Sequence, residues 1–382
     1  MRASSTRILT THVGSLPALA AIDRADANYD DALRDSVSAI VELQREIGLD
    51  FINEGEYTKE GSWIAYIGQR FGGVRPGSDK KLDYVPLGKD REEFADFYKY
   101  ANETGGLTYW TNSELRRQNA HWVCEGPLVY CGQAVLGREI DLLRQVVAPE
   151  DGFLTATAPS SFEVHIENAY YRTAEELLHA MAEAMRTEYE AIVAAGFDLQ
   201  VDDAWLAALW DRIGIPMGLD AYRKYCTLRI EALNHALANI PQEQIRYHLC
   251  WGSWHGPHAH DLEMRHMVDL MLKVRAGAYS FEAANVRHEH EYAVWEDVKL
   301  PDGKLIMPGV VTHSTNVIEH PDLVSDRIQR FARLVGKENV IASADCGFGG
   351  RTHPQIAWAK LRALVEGARR ASRALGFRAA DD

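Results

Sequence analysis

Clustered basic charge is what this 382-residue chain most plainly lacks: 55 Asp and Glu against 41 Lys and Arg leave a formal net charge of −14. Nucleic-acid backbones and anionic membrane surfaces both reward grouped Lys and Arg, so neither is expected as a partner. Also missing is any apolar stretch able to span a bilayer, and Met1 to Thr11 carries Arg2 and Arg7 without the apolar centre of a secretion signal. A cytoplasmic location is the expectation. Cysteine is scarce: Cys124, Cys131, Cys226, Cys250 and Cys346 are odd in number and widely spaced. That pattern argues against a disulfide framework and leaves free thiols as ligands or nucleophiles. There is no internal repeat and no low-complexity linker.

What is present is a hydrophobic content of 46%, enough for a large globular core. Apolar runs and amphipathic stretches alternate along it. Strands are expected over 8–13, 49–56, 152–158, 196–203, 245–250, 278–283, 305–312 and 340–345. The spacing predicts helices over 31–48, 173–195, 219–238, 262–276, 321–335 and 354–375, with no clear helix between strands six and seven. Eight such units, joined by right-handed crossovers, imply one α/β domain over 1–382, a (β/α)8 TIM barrel. Residues 57–150 read as an aromatic-rich insertion after strand two, carrying Trp63, Tyr66, Tyr84, Tyr109 and Trp110 among others. A helix over 91–102 and a hairpin over 123–131 are expected inside it. Local packing and a lid over the substrate both remain open as roles for its aromatics.

In such a barrel the C-terminal strand ends converge on one mouth, so what each strand delivers there can be read directly. Strand two brings Glu54 and Glu56, strand three Ser160 and Ser161, strand four Asp202 and Asp203. Strand five brings His248 and Cys250, which share a face two residues apart. Strand six brings Glu282, followed by Asn285, Arg287 and His288; strand seven ends in His313, and strand eight in Asp345 and Cys346. His248, Cys250, Glu282 and Cys346 form an N/S/O set suited to Zn2+, since two thiolates favour a borderline metal over Mg2+ or Ca2+. His255, His258, His260 and His266 invite a second metal site, although a run of this kind more often lines or caps a mouth.

Several short motifs in this order carry a resemblance: Thr11-His12-Val13-Gly14-Ser15-Leu16-Pro17, Glu54-Gly55-Glu56, Val201-Asp202-Asp203, His248-Leu249-Cys250, Phe281-Glu282, Thr312-His313-Ser314 and Asp345-Cys346-Gly347. Together they resemble the catalytic barrel of the cobalamin-independent methionine synthase family, which includes single-barrel relatives of the epoxyalkane:coenzyme M transferase type. The resemblance implies that His248, Cys250, Glu282 and Cys346 hold zinc, that Asp202 receives the amino group of a homocysteine-like thiol, and that His313 relays a proton. Ser15 and Glu54 match positions near the substrate. Asp202-Asp203-Ala204-Trp205 differs from the Asp-Glu-Pro of methionine synthases, and the continuation Asn285-Val286-Arg287-His288 is closer to the single-barrel relatives.

The expected activity is zinc-dependent transfer of a methyl or other alkyl group to a thiol, by SN2 attack of a zinc-bound thiolate. The partners are then a small thiol and a donor such as a 5-methyltetrahydrofolate-like compound; self-association is left open. The alternatives are an epoxide-opening thiol alkyltransferase, in which Arg287, His255 or Arg351 holds an anionic tail, and a metal-free lyase resembling uroporphyrinogen decarboxylase. A non-catalytic zinc-binding protein is the reading outside enzymology.

Overall fold

The computed structural model describes residues 1–19, 27–59, 68, 70–77, 88–104 and 121–377. In chain order its strands are β1 (Leu9–Thr10), β2 (Phe71–Pro76), β3 (Trp122–Tyr130), β4 (Phe153–Thr157), β5 (Ile166–Asn168), β6 (Asp198–Asp203), β7 (Ile245–Leu249), β8 (Ala278–Phe281), β9 (Leu305–Val311) and β10 (Ile341–Ala344). Seven of them make one curled parallel sheet in the order β1-β10-β9-β8-β7-β6-β4, with helices following the strands, consistent with a TIM-like barrel. The predicted second strand is reduced to a single bridge, Ile52 to Gly152. Its backbone nevertheless bonds to both edges of the sheet, from Phe51 N to Thr10 O (3.1 Å) and from Phe153 N to Ile52 O (3.1 Å).

The strands of this sheet are buried almost throughout because parallel strands are covered on both faces. Leu9, Phe51, Phe153, Ala278, Leu305, Met307 and Ile341, drawn from almost every segment of the sheet, form one buried cluster inside its curve. The outer face packs on amphipathic helices. In Pro321–Val335 the buried positions Val324, Ile328, Phe331 and Ala332 recur at helical spacing. That helix and Pro354–Ala374 both start with a His-Pro pair, whose imidazole accepts the backbone N–H two residues on while proline fills the first turn. The helix Tyr29–Ile47 stops at Gly48, which takes the left-handed conformation at φ 94°.

Elsewhere the chain departs from the sequence pattern. The helix expected over 262–276 shrinks to Met264–His266 and Val268–Met271, and the connection after β8 holds only the short turns Glu289–Ala293 and Val294–Asp297. The hairpin expected over 123–131 is a correction: β3 continues through Gly126 and Pro127 as a bulged strand and pairs with β2 on one side and β5 on the other. Gly126-Pro127 reads as a turn in sequence and becomes a bulge in the fold: between the pairs Gly72–Val129 and Val74–Cys124, the one residue Gly73 on β2 faces residues 125–128 on β3. Gly73 absorbs it at φ 84°, and a Cβ there would lie 2.3 Å from the Pro127 carbonyl. The helix expected over 91–102 is split into Lys89–Glu93 and Ala95–Thr104. Trp63, Tyr66, Tyr84, Tyr109 and Trp110 lie outside the described residues. Among the described residues no helix is long and apolar enough to cross a membrane.

Candidate metal centre at the strand ends

The two-residue strand period brings His248 and Cys250 to one side at the end of β7, and Cys346 follows β10. The two sulfurs are 3.9 Å apart across 96 positions of sequence. With His248 they form a buried trio whose ligand atoms all lie within 4.8 Å of one another, the one such group among the described residues. His248 Nδ1 is hydrogen-bonded to Ser280 Oγ at 3.0 Å, while Nε2 is buried and makes no hydrogen bond. When Nδ1 donates to the serine, Nε2 presents its lone pair, as a metal-binding imidazole must. The hydrogen bond between the two thiols pushes Cys346 well below the ordinary thiol range and Cys250 above it, with burial raising both. One sulfur of the pair is thus biased toward thiolate.

Glu282 borders this trio. Its Oε1 lies 3.8 Å from Cys250 Sγ and accepts the Trp251 backbone N–H at 3.0 Å, and its Oε2 accepts from Asn285 Nδ2 at 2.8 Å. Burial pushes this carboxyl up to about 8, helped by Asp345 and Cys346 and opposed by His288. The neighbouring Asp345 is the fastener: its Oδ1 accepts the backbone N–H groups of Ala283 and Ala284 at 2.7 and 2.8 Å. It thereby ties the loop bearing Cys346 to the loop bearing Glu282. Gly309 on β9 permits this approach, since a Cβ there would come within 2.1 Å of Asp345 Oδ1.

The strand-four carboxylates divide. Asp202 is half-buried, with Oδ1 accepting from Gln200 Nε2 at 2.8 Å, and burial pushes it up to about 7 against the pull of His248. Asp203 is buried and fully engaged, receiving Ser160 (2.9 Å), Ser161 (3.1 Å), the Leu206 N–H and Tyr247 Oη (3.0 Å). Ser160 and Ser161 follow β4 as the sequence predicts. They sit on the short helix Pro159–Glu163 and serve Asp203 as structural donors.

Glu54 is fully buried, neither of its carboxylate oxygens makes a hydrogen bond, and Lys59 Nζ is 4.0 Å away. Burial pushes it up to about 7, against Lys59. Glu56 accepts from Thr155 Oγ1 at 2.8 Å. Ser15 packs on the loop after Cys346, its carbonyl accepting the Phe348 N–H at 2.8 Å. His313 is buried at the end of β9 with Nδ1 unbonded, and burial brings its pKa down to about 3, so the ring is neutral near pH 7. Arg287 is exposed, and its guanidinium donates to the Ala259 carbonyl at 2.7 Å.

Of the four histidines after β7, His258 and His260 are held by carboxylates. His258 bonds Asp261 at 2.9 Å, Asp261 also takes His288 at 3.1 Å, and His260 bonds Glu93 at 2.6 Å. The helix pair 89–104 lies against the same loop through Ala259 N to Asp90 (3.0 Å) and Trp254 Nε1 to Tyr98 (3.1 Å). Sequence reading missed Ser280 and Lys59. Ser280 was within reach of the two-residue period, because it shares a strand face with Glu282.

The chain is similar to known proteins along most of its length. The family model described as cobalamin-independent synthase, catalytic domain, matches residues 151–370. The chain is 26% identical to an uncharacterized Bacillus subtilis protein, YxjH, over 93% of this chain and 92% of that one. It is 24% identical to 2-hydroxypropyl-CoM lyase of Xanthobacter autotrophicus, over 90% of this chain and 86% of the lyase. With the methionine synthase of Saccharolobus solfataricus it shares 19% identity over 90% and 85% of the two chains. A B12-independent methionine synthase from Shewanella sp., solved in complex with selenomethionine, superposes with a TM-score of 0.73 at 18% identity, covering 97% of this chain and 99% of that one. The matched segment carries every member of the buried His-Cys-Cys trio, and the chain belongs to the cobalamin-independent synthase family through its catalytic domain.

Proposed function

We propose that this protein is a zinc-dependent transferase that moves a methyl or alkyl group to a thiol, on a closed (β/α)8 barrel in which the Phe51-Ile52 segment is the eighth strand. One observation carries the reading: a buried imidazole with a free Nε2, fixed by Ser280, within 4.8 Å of two thiol sulfurs. That donor set fits Zn2+, with His248, Cys250 and Cys346 as ligands and Glu282 beside them as the replaceable fourth. Bound there, zinc would hold a substrate thiol as thiolate near neutral pH while the thiolate ligands keep electron density on the attacking sulfur.

The chain's own residues do the rest. Trp251 N–H and Asn285 hold Glu282 aside, so a substrate can approach without unfolding the loop. Asp202, pushed up to about 7, ionises fully once a substrate ammonium sits beside it, and so favours an amino-bearing thiol. Neutral His313 can take the thiol's proton at Nδ1, and in so buried a place the imidazolium hands it on readily to a leaving nitrogen or alkoxide. The kinship with 2-hydroxypropyl-CoM lyase over nine-tenths of the chain favours, as a second reading, a thioether-forming or thioether-cleaving reaction on an acidic thiol.

The test is metal content of the purified protein, then cobalt substitution and titration with thiols while watching the thiolate-to-cobalt charge-transfer band. One equivalent of zinc and a new band with one thiol are expected. A protein that binds neither zinc nor cobalt would remove the transferase reading and favour a metal-free lyase.

A further inference from the structure

Four titratable side chains that the proposed chemistry leaves idle pack together between the loop after β7 and the loop after β8. The imidazole of His288 is at their centre, with Nδ1 2.8 Å from Glu291 Oε2 and Nε2 3.1 Å from Asp261 Oδ2. His258 Nδ1 lies 2.9 Å from the same Asp261 oxygen, and its Nε2 donates to the Trp254 carbonyl at 3.0 Å. The other oxygen of Glu291 accepts the Met264 backbone N–H at 2.8 Å. The side chains of His288, Asp261 and Glu291 are each less than a tenth exposed. Both ring nitrogens of His288 thus face acceptors, and a neutral imidazole would set its one lone pair against a carboxylate oxygen. Burial works against a charge here, yet the hydrogen bonds to Asp261 and Glu291 prevail and push the imidazole up to about 10. His288 is therefore an imidazolium near pH 7.

The neighbours of this buried cation give it a use. Glu282 is held by one donor on each oxygen, the Trp251 N–H at 3.0 Å on Oε1 and Asn285 Nδ2 at 2.8 Å on Oε2. His288 touches both holders. Its backbone N–H donates to Asn285 Oδ1 at 3.0 Å, which turns the amide so that Nδ2 meets Glu282, and its ring packs on the Trp251 indole with centroids 5.0 Å apart. Trp251 is anchored in turn, since its Nε1 donates at 2.6 Å to the carbonyl of Leu262, the residue after Asp261. The imidazolium, in contact with both holders, also draws the Glu282 carboxylate toward them. Glu282 Oε1 is only 3.8 Å from Cys250 Sγ, so a small swing separates a carboxylate beside the trio from one that has joined it.

We infer that His288, clamped by Asp261 and Glu291, is a positioning residue for Glu282: it keeps that carboxylate off the His248-Cys250-Cys346 trio, so that the fourth place of the centre stays open to a thiol. This rests on the proposed reading of the trio as a thiol-binding metal centre.

The experiment is a double-mutant cycle of His288→Gln and Glu282→Gln, followed on the cobalt-loaded protein by titration with 2-mercaptoethanol and on the metal-free protein by urea melts. Once the imidazolium is gone, Glu282 should compete with the thiol. His288→Gln is then expected to weaken 2-mercaptoethanol binding about 5- to 20-fold, the coupling of groups in one hydrogen-bonded network, with cobalt affinity equal or tighter. In Glu282→Gln the added His288→Gln should change thiol affinity by less than about twofold, because the competing carboxylate is absent. A change of the same size in both backgrounds, or none in either, overturns the inference and leaves His288 a purely structural residue. His288→Gln combined with Glu291→Gln removes one charge of each sign, so it serves if the single variant does not fold, and the same loss of thiol affinity is expected of it. The metal-free melts separate the inference from the metal reading. Even if cobalt or thiol fails to bind, His288→Gln and Glu282→Gln should be non-additive by at least about fivefold in the unfolding constant, whereas additive effects overturn the link between the two residues.

Discussion

Ser280→Ala isolates the contact on which the candidate centre depends. Ser280 and His248 are both buried, and their hydrogen bond is 3.0 Å long. Removing the hydroxyl leaves Nδ1 without a partner and lets the ring choose the tautomer that puts its proton on Nε2, the wrong one for a ligand. Loss of such an outer partner weakens metal binding by about 10- to 100-fold, or about 1.4–2.8 kcal/mol. The metal-free fold should lose about 1–3 kcal/mol for the buried nitrogen left unpaired. Zinc affinity is read by competition with a chromophoric chelator at fixed pH, and stability by urea melts of the metal-free protein. Ser343→Ala is the control: that hydroxyl is buried on β10 with no hydrogen bond, so deleting it should change neither quantity appreciably. Zinc affinity within twofold of wild type in Ser280→Ala would refute the argument that Ser280 prepares His248.

Cys346→Ala should purify with little or no tightly held zinc after dialysis, by mass spectrometry; one retained equivalent would place the metal elsewhere. Glu54→Gln tests a buried carboxyl raised from its ordinary 4.5 to about 7. Between those pH values the folded protein holds a proton that the unfolded chain has released, so wild-type stability should fall relative to the variant by about 3 kcal/mol as pH rises through the window, in pH-resolved melts. A flat difference would mean that Glu54 titrates normally. Arg70 pairs with Glu139 (2.5 Å) and Glu188 (2.9 Å) in the interior, so Arg70→Met should cost about 3–5 kcal/mol by leaving two buried carboxylates uncompensated. A loss below about 1 kcal/mol, typical of a surface pair, would contradict the burial.

The strands and the long helices were legible because each is written in a period that tertiary contacts then use. Val324, Ile328, Phe331 and Ala332 announce the face they bury, and the strand ends announced His248, Cys250, Glu282 and Cys346. The segment 57–150 was not legible, since β2 and β3 are irregular and a bulge at 125–128 of β3, opposite Gly73, decides their pairing. Asp202 and Asp203 are adjacent and chemically identical in sequence. Which one is sealed by two serines and a tyrosine and which one is left half-buried is set by neighbours 40 or more positions away in Ser160, Ser161 and Tyr247.

The grip of the Ser15 carbonyl on the Phe348 N–H, beside the 96-residue gap between Cys250 and Cys346, sets an order for biosynthesis. A ribosome delivers His248 and Cys250 well before Cys346, while the loop that receives Cys346 waits on a segment made at the outset. A nascent chain can therefore offer an ion two donors for many seconds at about 5–20 residues per second, but cannot enclose it until early and late segments dock. On the proposed metal-centre reading, metal loading becomes a checkpoint on finished folding, and a chain interrupted before Cys346 would be left with one imidazole and one oxidisable thiol and without the third donor.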